Sequence, residues 1–291
     1  MDPNSDSNTK MGLGDRMKGY EKKYDDRIEP YLPYMLRLDG KNFSKFTNGF
    51  HKPFDKKFIC AMVLTMNDLV DKFQAVTGYT HSDEITLIFD AACTKEDFVN
   101  KENKSTHYFD GRIIKICTVV ASYCAVRFNH HIAKLINLNK QDYHEDFVKK
   151  INAFIACFDC RPIIFPEGAE YEIVNHMIWR SVHDCYRNAV GTYAREFYST
   201  KQLNKKNCME MIDMLKSQNL IWENIDFNIK HGVYAKKDTE HNMVNFCFKI
   251  TYSDSILNLL RDKYIYPNEN FIQFTMDANG NYALGKFIKI E

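Results

Sequence analysis

Residues 34–40 read Tyr34-Met35-Leu36-Arg37-Leu38-Asp39-Gly40, and residues 82–89 read Ser82-Asp83-Glu84-Ile85-Thr86-Leu87-Ile88-Phe89. The first stretch is an apolar run of strand length that stops on an Asp-Gly turn signal. The second starts on two acids and continues into β-branched and aromatic residues, which is a strand pattern. Between them Phe58, Met62, Met66, Leu69 and Phe73 recur at spacings of four, four, three and four, one face of a 3.6-residue period. Asp55 stands where an N-terminal cap belongs and Gly78 where a C-terminal cap belongs, so the pattern predicts a helix over 55–77.

Working outward, residues 113–128 predict a second helix with Cys117, Val120, Ala121, Cys124 and Phe128 inward, and residues 162–166 a further short strand. The order β-α-β then α-β suits an α+β fold of ferredoxin-like type, an antiparallel sheet with helices packed on it. Helical patterns over 169–198 and 207–216, a strand-like run over 244–252 and a hairpin turn at Asn279-Gly280 predict a C-terminal helical and β extension. The expected organisation is a polar leader with a short helix over 1–30, a core over 31–165, and a packed C-terminal part over 166–291.

Composition narrows the function. Forty-five per cent hydrophobic residues, 14% of the chain being aromatic, exclude a wholly disordered protein. Thirty-nine basic residues against 38 acidic ones exclude indiscriminate coating of nucleic acid through bulk charge. The balance is local, though. Residues 31–60 carry six basic residues and two acids, and residues 61–100 two basic residues and seven acids. No apolar run reaches the ~20 residues of a membrane span. The start, Met1-Asp2-Pro3-Asn4-Ser5-Asp6, resembles neither a secretory nor an organellar leader, and the expectation is a cytoplasmic protein without a membrane partner. The nine cysteines include one Cys-x-x-Cys, Cys157 to Cys160, but no second pair to complete a zinc site. His130-His131 lacks further ligands in sequence and reads as ordinary surface or core histidines.

Two places set acids at strand ends. Taken singly, Asp39-Gly40 and Ser82-Asp83 read as turns. If the two strands are antiparallel neighbours, however, Asp39 meets Asp83, and paired carboxylates are a candidate site for a hard divalent cation. Lys41, Lys45 and Lys52 follow the first acid, and Arg112 and Lys115 share a helix face. Carboxylates, backbone-exposing glycine and several cations together suit metal-bound polyphosphate chemistry.

Arg37-Leu38-Asp39-Gly40-Lys41-Asn42-Phe43, Lys52-Pro53-Phe54-Asp55, His81-Ser82-Asp83-Glu84, Phe109-Asp110-Gly111-Arg112-Ile113-Ile114-Lys115, Phe158-Asp159-Cys160-Arg161 and Trp179-Arg180-Ser181 with Asn188 resemble the tRNA(His) guanylyltransferase family, in order, over roughly residues 14–240. The resemblance implies a polymerase-like palm domain and a nucleotidyltransferase that extends RNA from 3′ to 5′. A tRNA 5′-monophosphate is activated by ATP or GTP, and the 3′-hydroxyl of an incoming nucleoside triphosphate then attacks it. It further implies that Asp39, Asp83 and the Gly40 carbonyl hold two Mg2+ ions with Glu84 in support. Gly40, Lys41, Asn42, Phe43, Ser44, Ser82, Arg112 and Lys115 would bind the phosphates, and Lys52 and Asp55 the activating nucleotide. A homotetramer with tRNA as partner belongs to the same expectation.

The departures carry information too. Where family members have His-Ile-Asn-Asn, this chain has Cys185-Tyr186-Arg187-Asn188; it has Ser44 for a usual histidine and Phe54 for a usual asparagine. Leu13-Gly14-Asp15-Arg16 and Lys230-His231-Gly232-Val233 resemble the guanylyltransferase-like branch, which implies templated repair of 5′-truncated tRNA. A single-G tRNA(His) guanylyltransferase and a non-catalytic RNA-binding or nucleotide-sensing palm are the alternatives. Trp179, Arg180, Arg187 and Asn188 are candidate RNA contacts because aromatic and Arg planes stack on bases. Trp179, at helical spacing, reads as core first.

Overall fold

The central sheet grows from the strand that ends on Asp39-Gly40. In a computed structural model, which describes residues 12–101, 104–266 and 268–287, eight strands form one sheet in the order β4-β1-β3-β2-β5-β6-β7-β8. After α1 (Leu13–Lys22), β1 (Tyr34–Gly40) leads through a single turn, α2 (Phe43–Phe46), into α3 (Lys56–Phe73). The hairpin β2 (Thr77–His81) and β3 (Glu84–Phe89) follows, then α4 (Lys95–Asn100), α5 (Ile113–Leu138), α6 (Glu145–Ile151) and β4 (Phe158–Ile164). Strand order β4-β1-β3-β2, antiparallel throughout, with α3 and α5 crossing one face, is the ferredoxin-like arrangement expected from the sequence.

The alternation of β1 decides which side chains face which layer. Tyr34, Leu36 and Leu38 enter the core beneath α3 and α5 with Met62, Met66, Val120, Cys124 and Phe128. Met35 enters a second core on the other face, and Arg37 and Asp39 follow it there by the period of two. That second face is covered by α7 (Glu172–Ile178), a π-helical segment (Trp179–Asp184) and α8 (Cys185–Phe197). The short α9 (Thr200–Leu203), α10 (Cys208–Lys216) and α11 (Phe227–His231) follow. β5 (Val233–Lys237) and β6 (Met243–Cys247) continue the sheet beyond β2, and α12 (Asp254–Arg261) precedes the hairpin β7 (Ile272–Met276) and β8 (Tyr282–Lys286).

Several expectations are corrected. The helix read over 55–77 stops at Phe73, with Gln74 in the left-handed conformation as its terminator. Gly78 is no cap; it lies inside β2, where a Cβ would come within 2.7–2.8 Å of Val70 and Met66. The glycine lets α3 lie close against the sheet. The helix expected over 113–128 runs on to Leu138. The long run over 169–198 is helical but passes through a π segment. The turn at Asn279-Gly280 is the β7–β8 connection, where Asp277 Oδ1 accepts from the amides of Asn279 and Asn281, both at 2.9 Å. The leader expectation over 1–11 lies outside the described residues, and α1 after it buries no side chain.

Candidate active site

The pairing of β1 with β3 sets Asp39 directly opposite Glu84, and the pairing with β4 sets it opposite Asp159. Three carboxylates therefore cross the sheet in one row. One pleat further in, Arg37 lies opposite Arg161. The β2–β3 turn holds Asp83 over the end of β1, because the Gly40 amide donates to the Asp83 carbonyl at 3.1 Å. Asp39 and Asp83 are thus neighbours, as the antiparallel reading required. Burial raises the Asp83 carboxyl above the ordinary range, and the charge of Asp39 adds to the rise.

Glycine at 40 has a local reason. A Cβ there would come within 2.4 Å of the Phe43 ring, which is folded back beneath the strand end into the core. The Gly40 and Lys41 amides are occupied by the carbonyls of Asp83 and Cys157. Lys41 and Asn42 stand exposed, with Asn42 left-handed at the start of α2. Phe43 is buried in the core and also borders the cleft.

An open cleft of about 520 Å³ begins at Asp83 and Ser82 and is walled by Ser44, Lys52, Phe54 and Asp55, with Thr192, Arg195 and Glu196 from α8 across from them. Sequence reasoning missed this α8 contribution, since nothing local links those residues to the loop they face. Lys52 is exposed. Asp55 is not free: its carboxylate accepts from the amides of Lys57, Phe58 and His51 and from the Tyr143 hydroxyl, at 2.8–3.3 Å. It holds the loop that walls the cleft and itself lines that cleft.

Glu84 is also committed. Arg37 Nη2 bonds Glu84 and, at 3.1 Å, Asp39; Arg180 bonds Glu84 and, at 2.7 Å, Asp184. The donor atoms of His81, Glu84 and Asp184 lie within 4.8 Å of one another, the spacing of a metal site. Arg180 already supplies the positive charge there. Burial, then the nearby Arg180 and Arg37, push the His81 pKa down to about 3, so its ring stays neutral. The cluster is a buried ion-pair network.

Arg180, expected to touch RNA, is 2% exposed and belongs to that network. Trp179, expected in the core, is half exposed, and the Arg180 guanidinium sits 5.0 Å from its ring centre. The buried stripe passes Ile173, Val174, Met177, Arg180 and Ser181, which leaves Trp179 off it. Arg187 and Asn188 are exposed, Arg187 being paired with Asp184. Arg112 and Lys115 do not join the cleft. They line a separate groove with Lys18, Lys22 and Asp25. β3 runs from Glu84 away from the site, so α5 begins at the far end of the sheet, where Ile116 and Val120 pack beside Tyr34.

This arrangement, an acid pair on a ferredoxin-like sheet beside an open cleft, has counterparts. The family model for Thg1, tRNAHis guanylyltransferase, matches residues 14–166. The chain belongs to that family. With it the chain belongs to the nucleotidyltransferases of tRNA processing. An uncharacterized protein of Acanthamoeba polyphaga mimivirus is 44% identical over 284 residues, covering 94% of both chains. A probable tRNA(His) guanylyltransferase of Drosophila melanogaster is 26% identical over 76% of this chain and 70% of its own. A bacterial tRNA(His) guanylyltransferase (Thg1)-like protein solved in complex with ATP superposes with a TM-score of 0.66 at 27% identity, over 80% of this chain and 91% of that one. No helix among the described residues is long and apolar enough to cross a membrane.

Proposed function

We propose that this chain is a template-directed 3′-to-5′ RNA polymerase that adds nucleotides to the 5′ end of truncated tRNA through a 5′-adenylated intermediate. The observation that carries the reading is the acid pair at the cleft: Asp39 and Asp83, joined through the Gly40–Asp83 backbone bond. Two carboxylates at close quarters repel; burial raises the Asp83 carboxyl, and Asp39 adds to the rise. Asp39, Asp83 and the Gly40 carbonyl offer oxygen donors only, the set that suits Mg2+. Glu84, held by two arginines, supports from behind rather than ligating. When bound, magnesium would lower the pKa of an attacking hydroxyl and neutralise triphosphate charge.

The chain's own groups do the positioning. Arg37 orients the Asp39 carboxylate. Lys52, on the cleft wall, meets phosphate, and Ser44 and Ser82 offer hydroxyls beside it. The bacterial relative solved with ATP supports a nucleoside triphosphate as the ligand. In the first step the tRNA 5′-phosphate attacks the α-phosphorus of ATP and pyrophosphate leaves. In the second, the 3′-hydroxyl of the next triphosphate attacks the activated phosphorus and AMP leaves. Catalysis of this kind rests on position and charge rather than on a covalent enzyme intermediate.

A single-G tRNA(His) guanylyltransferase is the second reading, and family membership favours it. Templated repair is preferred because Cys185-Tyr186-Arg187 replaces His-Ile-Asn, and its first two residues are spent on packing: Cys185 is buried and Tyr186 lies edge-on to Trp222. The test incubates 5′-truncated tRNAs with ATP and all four triphosphates while the opposing 3′-strand base is varied. Addition that follows the complement supports repair, G alone supports the second reading, and no incorporation supports a dead palm. Asp39→Asn and Asp83→Asn should each remove incorporation while circular dichroism and unfolding stay near wild type. Undiminished labelling by either variant would sink the metal pair.

A further inference from the structure

The cleft has a back wall that the phosphate chemistry leaves unexplained. Between Phe54, Ile59 and Ser82, which also line the cleft, lies a recess of about 40 Å³ that is closed behind by His81 and Asn228. Its volume is that of about one water molecule or one small polar group. Asn228 is 5% exposed, and neither its Oδ1 nor its Nδ2 makes a hydrogen bond of normal geometry. His81, 8% exposed, likewise has no hydrogen bond at either ring nitrogen. Buried polar atoms without partners are rare, since folding has stripped their water and returned nothing.

The backbone that carries Asn228 is anchored. It sits on α11, whose last carbonyl, that of His231, accepts from Ser181 Oγ at 2.7 Å and from the Tyr79 hydroxyl at 3.1 Å. Nearby, the Tyr282 hydroxyl donates to Asp226 at 2.8 Å. With Oδ1 turned into the recess, the amide carbonyl is an acceptor in want of a donor.

We propose that Asn228 is the residue that reads the base of the nucleotide in this cleft, its Oδ1 accepting from the exocyclic amino group of adenine inserted into the recess. The purine ring then lies in the cleft against Phe54, whose own ring is braced by Tyr193 at 5.6 Å between centroids. Guanine carries a carbonyl oxygen at the corresponding position and would set acceptor against acceptor. The inference rests on the nucleotide-binding reading above and adds to it the residue that selects the base.

The experiment measures equilibrium binding of ATP, GTP and purine riboside triphosphate, which lacks the amino group, to the full chain with Mg2+ and without tRNA. Wild type should bind ATP roughly tenfold to a hundredfold more tightly than the analogue, the range for leaving one buried acceptor unpaired. In Asn228→Leu that ratio should fall to about one, while Lys52→Ala should weaken ATP and analogue alike and keep their ratio. The wild-type comparison needs no variant, so a misfolded Asn228→Leu leaves the test intact. Equal binding of ATP and the analogue by wild type overturns the proposal, as does a folded Asn228→Leu that keeps the full preference. If wild type binds no triphosphate at all, this inference and the polymerase reading fall together; if it binds all three equally, only this inference falls.

Discussion

Arg180 shows how a single residue changes meaning once its neighbours are known. In the sequence it follows a tryptophan on a helical stretch and looks like an RNA contact. A charged side chain is buried only when it is paired, and its partners are Glu84, from a distant strand, and Asp184, one turn on. Removing it would take the buried cation from both carboxylates, leaving Glu84 only Arg37 and Asp184 only the exposed Arg187. Arg180→Ala should therefore cost about 3–5 kcal/mol of stability, the usual loss when one partner of a buried pair is removed. Urea unfolding at pH 7 measures it, and a change within the range of surface substitutions would contradict the network. Asp39 and Asp83 were legible because turn acids at the ends of two apolar strands need only antiparallel pairing to meet. Asp159, the third carboxylate of the row, was not singled out for the site, since its place depends on a β1–β4 register that nothing near it in sequence reveals.

At the scale of elements, α3 was read from its apolar stripe and its Asp55 cap, and both hold. The pattern carries its end too far, into Thr77 and Gly78 of β2, and gives the rest of that strand no reading. Thr77-Gly78-Tyr79-Thr80-His81 is fully buried, so it lacks the polar alternation that marks a half-exposed strand, and its glycine imitates a helix terminator. The two long helices are tied together by Asp68 on α3, which accepts from Arg127 at 2.6 Å and contacts His131 at 2.5 Å, both on α5. Burial works to raise the Asp68 carboxyl, but the hydrogen bonds from His131 and Arg127 outweigh it and hold the group below its usual value. A carboxyl whose folded-state pKa is depressed contributes stability above its unfolded pKa, about 3.9, and loses it as pH falls through the lower folded value. Asp68→Asn should thus be less stable than wild type at pH 7, and the difference should shrink on acidification below about pH 4. Parallel denaturant titrations at the two pH values check this. A constant gap would mean that the contacts act through packing alone.

For the whole molecule, the family model ends at residue 166, yet the sheet continues through four more strands to β8. These outer strands are bonded back to the core: Lys57 Nζ donates to Asn281 at 2.8 Å, and Phe274 is buried in the cluster beneath α3 with Leu284 packed on it. Deleting residues 268–291 should cost about 3–6 kcal/mol, from the two buried side chains Phe271 and Phe274 at about 1.5–3 kcal/mol each. Thermal unfolding of the shortened chain should fall accordingly, and an unchanged midpoint would show that the outer hairpin is an appendage. By itself the sequence determined the ferredoxin-like class, the long helices and the acid pair, because periodicity, caps and strand-end acids are properties of neighbours along the chain. Only the tertiary structure decided that Arg180 is buried, that Arg112 and Lys115 lie at the far end of the sheet, and that Asn228 faces the back of the cleft. Those facts follow from which distant strands and helices meet, and pairing between segments far apart in the chain is set by the packing of the whole molecule.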